Sequence, residues 1–419
     1  MLEGIKVVEF AQNLAIPACG RILAAMGADV VKVEPPGGDA MRATAGLGPK
    51  ESRAFAQINP GKRGMVIDLR SSKASPVVDA LFRWADVALV AFKGSDLVRY
   101  GLDWDHARLV NPRLIHLTHT PFGPRGDDAE VGGYDALVQA VSGMGFLMNR
   151  TENGTPVATR PAVNDAGTGI ASVAGVIAAL RHRDHTGEGQ RVDTSLLGTA
   201  MSLSLGTHGF FEMTDVERTV ELDVQMAAAR EAGEGFDGQR AVYEAQQHGQ
   251  ANFRLYFRHY LTKDSLISVA GLTNSLQQRF HAVTGIKRPE NPRDHTSQEF
   301  QATVDQAERL FLTKTTTEWM AELRAAGYPC ARYNTPTEAL RDPQVVANDF
   351  VAEIDNPIFG KYLTVGIPMQ FSATPALVEG PSPGFGEHTR EVLAEIGFDG
   401  AGVEYLVTSG VTPDGSQTK

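Results

Sequence analysis

Apolar positions along the chain alternate between strand-like and helix-like spacing from the start. Residues 5–10 (Ile-Lys-Val-Val-Glu-Phe) and 28–34 (Ala-Asp-Val-Val-Lys-Val-Glu) read as strands. Residues 17–27 between them read as a helix, with Pro17 in its first turn and Gly27 as its stop. Strand, helix and strand in one short span make a βαβ unit, so the two strands should be parallel. Further strands are predicted at 64–69, 86–92 and 113–119, a helix at 74–84 and a glycine-rich loop at 122–133. Residues 134–147 predict a helix running into a small-residue turn, and 166–183 a long Ala/Gly-rich helix ending in Arg181-His182-Arg183. After a turn at Thr186–Gln190, residues 191–194 are extended and 196–211 read as a helix. The turn after the first strand, Ala11-Gln12-Asn13-Leu14-Ala15, lacks the glycine fingerprint of dinucleotide folds. The expectation is a Rossmann-like sheet without NAD.

Past residue 214 the pattern changes. Residues 215–250 are polar and charged and read as a linker into a smaller helical or mixed domain. Short strand and helix signals alternate over 254–270 and 299–333, followed by a β-like stretch at 351–374 and a helix at 386–396. The resulting division is a large domain at 1–200, a linker at 201–224, a small α+β domain at 225–325, and a linker with a C-terminal return to the large domain at 326–419.

Composition narrows the function classes. With 42% hydrophobic and 21% charged residues over 419 positions, the chain has material for a large core and does not read as disordered. A net charge of −11 argues against a broad basic surface for nucleic acid. Cys19 and Cys330 are too few for a disulfide framework or a zinc cage, which points to a reducing, cytoplasmic setting. The first residues read as a strand, not a signal peptide, and no run approaches a membrane span in uninterrupted apolar residues.

Few residues carry chemistry by pattern. His182 and His185 have no third ligand at metal spacing and read as a solvated helix-end pair, so no metal site is predicted. There is no nucleophile elbow and no P-loop. Cys19 falls on an apolar helix face and reads as core. Asp165 stands out because it directly precedes the Ala/Gly-rich helix. One reading is an N-cap accepting from orphan backbone N–H groups. The other is a covalent nucleophile, approachable because Ala166, Gly167 and Gly169 are small. Arg42, Arg70, Lys93 and Arg99 follow successive strands, so several could meet a phosphate at the carboxyl edge of a parallel sheet.

In these segments the chain resembles the family III CoA-transferases, of the formyl-CoA transferase and carnitine CoA-transferase type. The resemblance is carried by Gly27-Ala28-Asp29-Val30-Val31-Lys32-Val33-Glu34-Pro35 with Gly37-Gly38-Asp39 and Arg42. It continues through Asn59-Pro60-Gly61-Lys62-Arg63, Gly133-Tyr134-Asp135-Ala136-Leu137, and Asp165 to Gly169. Thr186-Gly187-Glu188-Gly189-Gln190 and Gly386-Glu387-His388-Thr389 complete it. It implies Asp165 as nucleophile and an acyl-CoA substrate, with no tightly bound cofactor. It also implies CoA contacts at Gln12, Ala15, Ile67, Arg70, Phe92, Arg99 and Tyr134. Because Pro35 stands where some members have Arg, the phosphate grip is expected to rely on Arg42, Arg70 and Arg99. Ala91 replaces a common Asn, and Ile16 the usual Gly before the proline.

By the same resemblance, Asp165 would attack a thioester, pass through a mixed anhydride and an aspartyl-CoA thioester, and reverse these steps onto an acceptor carboxylate. The oxyanion donors are expected from N–H groups at the helix start. The implied architecture is an interlocked homodimer. Racemases of the same family use a His where this chain has Tyr134, and a phenol is a weak base near neutral pH. α-Proton chemistry and a non-catalytic acyl-CoA-binding role stay as alternatives. Gln246–Gln250 holds one glycine where formyl-CoA transferases carry a run, with His248 and Gly249 as candidate substrate contacts. Met144, Phe146, Leu147 and Met148 read either as an acyl pocket or as core.

Overall fold

A computed structural model describes residues 1–44, 46–48, 50–246, 255–291 and 297–415. The chain divides into two compact units, Met1–Phe211 with Pro343–Lys419, and Glu212–Asp342.

The first unit is built on six parallel strands: β1 (Lys6–Phe10), β2 (Asp29–Glu34), β3 (Arg63–Val66), β4 (Val87–Val90), β5 (Ile115–Thr120) and β6 (Gln190–Ser195). Their order in the sheet is β6-β5-β4-β1-β2-β3. The chain therefore builds outward from β1 in one direction, returns, and builds outward in the other. The crevice at the carboxyl ends of β1 and β4 is the switch point, where such sheets bind ligands. The central strands β1, β2 and β4 are rich in valine because both faces are covered. Val8, Phe10, Val31 and Met65 face one core, closed by Val392, Leu393, Leu406 and Val407 of the C-terminal return. Val7, Val30, Val87, Leu89, Ile115 and Leu117 face the other, with helix α1 (Ala15–Ala25) and the longer helix that starts at Val163.

Two local features set the site. Asn13 adopts a left-handed φ of 66°, which turns the chain from β1 into α1. Asn tolerates this conformation, so the turn is made without the missing glycines. Its N–H donates to Asp39 Oδ1 at 3.2 Å. The second feature is a buried ionic cluster under the same turn. Glu9 accepts from Lys32 Nζ at 3.1 Å and from Lys62 Nζ at 2.8 Å, and Lys32 also pairs with Asp39 at 2.8 Å. All four side chains are buried. The cluster ties β1, β2 and the segment before β3 to the 11–15 turn.

The second unit carries a three-stranded antiparallel sheet of Phe257–Leu261, Leu266–Ala270 and Cys330–Arg332. Its core is aromatic: Tyr260 stacks on Phe311 at 4.2 Å, and Phe311 meets Trp319 at 4.7 Å. The linker expected over 201–224 is instead the end of helix Leu196–Leu203, a run of turns, and the larger part of a 20-residue helix, Glu212–Glu231. Phe236–Ala245 is also helical. The composition suggested a linker because the 20-residue helix is charged and buries only Met226 and Ala229. The helix expected over 196–211 ends at Leu203.

Candidate active site

Asp165 lies in the first turn of helix α3 (Val163–Thr186), which follows α2 (Asp135–Val141) along the chain. The N-cap of α3 is Ala162, which has no side-chain acceptor. Asp135, at the start of α2, supplies one: its Oδ2 accepts from the N–H of Asn164 at 2.8 Å and of Asp165 at 3.0 Å. Gln139 donates to the same carboxylate and holds the incoming loop by accepting from Thr159 N–H at 2.9 Å. Asp165 is thus not the cap that local pattern suggested. A carboxylate 30 residues upstream takes that role, which leaves the Asp165 side chain without a capping partner among the described residues.

The approach of α3 to α1 fixes where that side chain sits. A Cβ on Gly169 would lie 2.7 Å from Ala18 Cβ and 2.9 Å from Ala15 O, so only glycine allows this packing. The contact brings Asp165 to a cavity of about 550 Å³ that is also lined by Gln12, Ala15, Ala91, Phe92, His119 and Tyr134. Asp165 is half-buried, and among the described residues no cation or hydrogen-bond donor pairs with its carboxylate. Burial, with the nearby Asp135 carboxylate second, pushes its pKa up to about 6. It is therefore mostly ionised near neutral pH, yet poorly solvated and unpaired, as a nucleophilic carboxylate requires.

A second cavity of about 310 Å³ adjoins the first across Ala11, Gln12 and Phe92. It lies at the carboxyl ends of β1, β2, β3 and β4, with Pro35, Ile67, Arg70 and Tyr100 among its walls. Sharing these walls, the two cavities make a channel along the sheet edge, with Asp165 on the wall of the larger one.

The structure brings Gln12, Ala15, Ile67, Arg70, Phe92, Tyr134 and Asp165 to this channel. Arg70 is exposed and held by Asp68, with Nε to Oδ1 at 2.8 Å and Nη2 to Oδ2 at 3.1 Å. Arg99 is exposed just outside the channel wall, its guanidinium 5.5 Å from the Tyr100 ring centre. Arg42 does not reach the channel, which corrects the expectation of a phosphate grip there. Its buried guanidinium takes Glu34 through Nε at 2.7 Å and Nη2 at 2.8 Å, donates to Lys50 O and Pro383 O, and lies 3.6 Å over the Phe55 ring. The 3₁₀ turn Ala40–Ala43 points it inward, an orientation that sequence spacing does not encode.

Met144, Phe146, Leu147 and Met148 do not line the Asp165 cavity, and Met144 is buried in the short helix Met144–Met148. His248 and Gly249 lie outside the described residues. The helix-start N–H groups expected as oxyanion donors are taken at residues 164 and 165 by Asp135. Sequence reasoning passed over two residues. Asp135 stood inside the matched Gly133-Tyr134-Asp135 run, and His119 at the end of β5 gave no signal beyond its place at a strand's carboxyl end.

Residues 2–389 match the model of CoA-transferase family III. The chain is 32% identical to the succinate–glutarate CoA-transferase of Agrobacterium fabrum, over 94% of this chain and 95% of that one. It is 30% identical to a formyl-CoA:oxalate CoA-transferase of Rhodopseudomonas palustris, over 98% and 96%. The fold is similar to a CAIB/BAIF family protein from Brucella suis (TM-score 0.70, 26% identity, 94% of this chain and 99% of that one). It is likewise similar to Rv3272 from Mycobacterium tuberculosis (TM-score 0.71, 25% identity, 92% and 97%). With a parallel α/β sheet, a channel at its switch point and a match over nearly all of its length, the chain belongs to CoA-transferase family III, a family of enzymes that act on CoA thioesters.

Proposed function

We propose that this enzyme moves CoA from an acyl-CoA donor to a carboxylic acid acceptor, with Asp165 as the covalent nucleophile. The observation that carries this reading is the half-buried Asp165 carboxylate on the wall of the larger cavity, unpaired among the described residues. The nucleotide end of CoA occupies the 310 Å³ cavity, with Arg70 exchanging Asp68 for phosphate and Arg99 beside it. The pantetheine arm passes Gln12 and Phe92, which both cavities share. Asp165 attacks the thioester carbon and expels the CoA thiolate, leaving a mixed anhydride. The thiolate then attacks the aspartyl carbonyl, releasing the donor acid and leaving an aspartyl-CoA thioester. The acceptor carboxylate runs the two steps in reverse. Exclusion of water matters because both intermediates hydrolyse.

The named activities of the two relatives supply dicarboxylates as a precedent for the acceptor. The reading includes an interlocked homodimer. Its support is the exposed apolar surface of the first unit: Leu137, Val141, Ile170, Met201 and Leu203. Both cysteines are free, which supports a reducing, cytoplasmic setting.

The test is intact-mass spectrometry of the protein mixed with a panel of acyl-CoAs, followed by peptide mapping. The expected result is a CoA-sized adduct on the Asp165 peptide, released by hydroxylamine and absent from Asp165→Ala. Acyl-CoA binding without an adduct, or near wild-type turnover by Asp165→Ala, would overturn the reading. Solvent deuterium exchange at the substrate α-carbon would then separate α-proton chemistry from a binding role.

A further inference from the structure

When a carboxylate attacks a thioester, negative charge builds on the carbonyl oxygen, and a donor must be in place to receive it. The N–H groups of Asn164 and Asp165 already donate to Asp135. Another group lining the cavity is placed to serve. His119 is buried near the end of β5 and lines the same cavity as Asp165.

Thr194 Oγ1 accepts from Ser172 Oγ and lies 3.4 Å from His119 Nδ1. Thr194 still has its own hydrogen to give, so the pair is compatible with Thr194 donating to Nδ1, the tautomer that carries the ring proton on Nε2. Among the described residues Nε2 has no hydrogen-bond partner. No carboxylate pairs with the ring among them either, and burial pushes its pKa down to about 4. The imidazole is therefore neutral. It donates a hydrogen bond without holding a positive charge that would pair with the Asp165 carboxylate and quench it.

We propose that His119, through Nε2–H, is the hydrogen-bond donor to the oxyanion formed when Asp165 attacks the acyl-CoA thioester. The role rests on the covalent reading above. In the step, an Asp165 oxygen forms a bond to the thioester carbon, and the carbonyl π electrons move onto its oxygen, where His119 donates. The electrons then return, the C–S bond breaks and its electron pair leaves on the CoA sulfur. No proton is transferred to or from the imidazole.

The test measures single-turnover formation of the Asp165 adduct by rapid quench and intact mass, alongside CoA affinity by calorimetry. His119→Leu keeps volume and removes the donor. It should slow adduct formation about 100-fold, with CoA affinity changed less than about twofold. His119→Gln places an amide N–H near the Nε2 position and should recover about tenfold of that loss. Thr194→Val frees Nδ1 and should slow the step by about tenfold, which tests the tautomer even if a His119 variant misfolds. Adduct formation by His119→Leu within about threefold of wild type would overturn the proposal. So would a Gln variant as slow as Leu with CoA affinity lost in parallel, because that pattern marks packing. If wild-type protein forms no Asp165 adduct with any donor, the covalent reading itself fails and the proposal with it.

Discussion

Replacing Asp165 with Asn should make the protein more stable at neutral pH while abolishing transfer. Folding moves this carboxyl from 3.8 to about 6, chiefly by burial and then by the Asp135 charge. That rise corresponds to about 3 kcal/mol. The carboxylate sits at the wall of a cavity open to solvent, so screening reduces this to about 1–2 kcal/mol. The sign is fixed by linkage. A carboxyl with a raised folded pKa disfavours the folded state where it is ionised. The cost is complete above about pH 6 and disappears as pH falls toward the unfolded value near 4. Asn keeps the shape and removes the charge. Urea unfolding at pH 7.5, 6 and 4.5 would measure the difference. Asp165→Asn should lead by about 1–2 kcal/mol at pH 7.5, with the lead shrinking steadily through pH 6 to 4.5. An Asn variant equal to or weaker than wild type at pH 7.5, or a lead that does not change with pH, would refute the argument.

Three further outcomes follow from the same geometry. Asp135→Asn removes the charge that helps raise Asp165, so the acid limb of the pH–rate profile should move to lower pH; an unmoved limb would deny the coupling. Arg70→Ala should weaken CoA binding about tenfold and reduce its salt dependence, since a charge-assisted phosphate contact is lost; unchanged affinity in calorimetry would show that the nucleotide end lies elsewhere. Glu9→Leu leaves Lys32 and Lys62 buried without their shared acceptor and should cost about 3–5 kcal/mol in denaturant unfolding. A loss below about 1 kcal/mol would show that the lysines do not depend on Glu9.

The sequence by itself determined the sheet and its direction. Apolar runs such as 5–10, 28–34 and 86–92, separated by helical segments, specify parallel strands covered by helices, because apolar period is a local property of the sequence. It also determined the address of Asp165 and of Gln12, Ala15, Ile67, Arg70, Phe92 and Tyr134, which line the two cavities, through a resemblance that strings many short motifs in order. Charge defeated the reading at Glu212–Glu231: a helix that buries little has the composition of a linker.

The tertiary structure decided how each charged side chain is used. Arg42 and Arg70 both follow strands. Yet one is sealed against Glu34 and Phe55 while the other is exposed and paired only with the neighbouring Asp68 among the described residues. Asp165 looks like a helix cap until Asp135, remote in sequence, takes the N–H groups. His119 carries no motif, and only the closing of β5 and β6 beside α3 brings it to the same cavity as Asp165. Backbone periodicity is written in neighbouring residues. The state of a carboxylate, guanidinium or imidazole is set by desolvation and by partners that folding gathers from distant positions, and no local pattern records those.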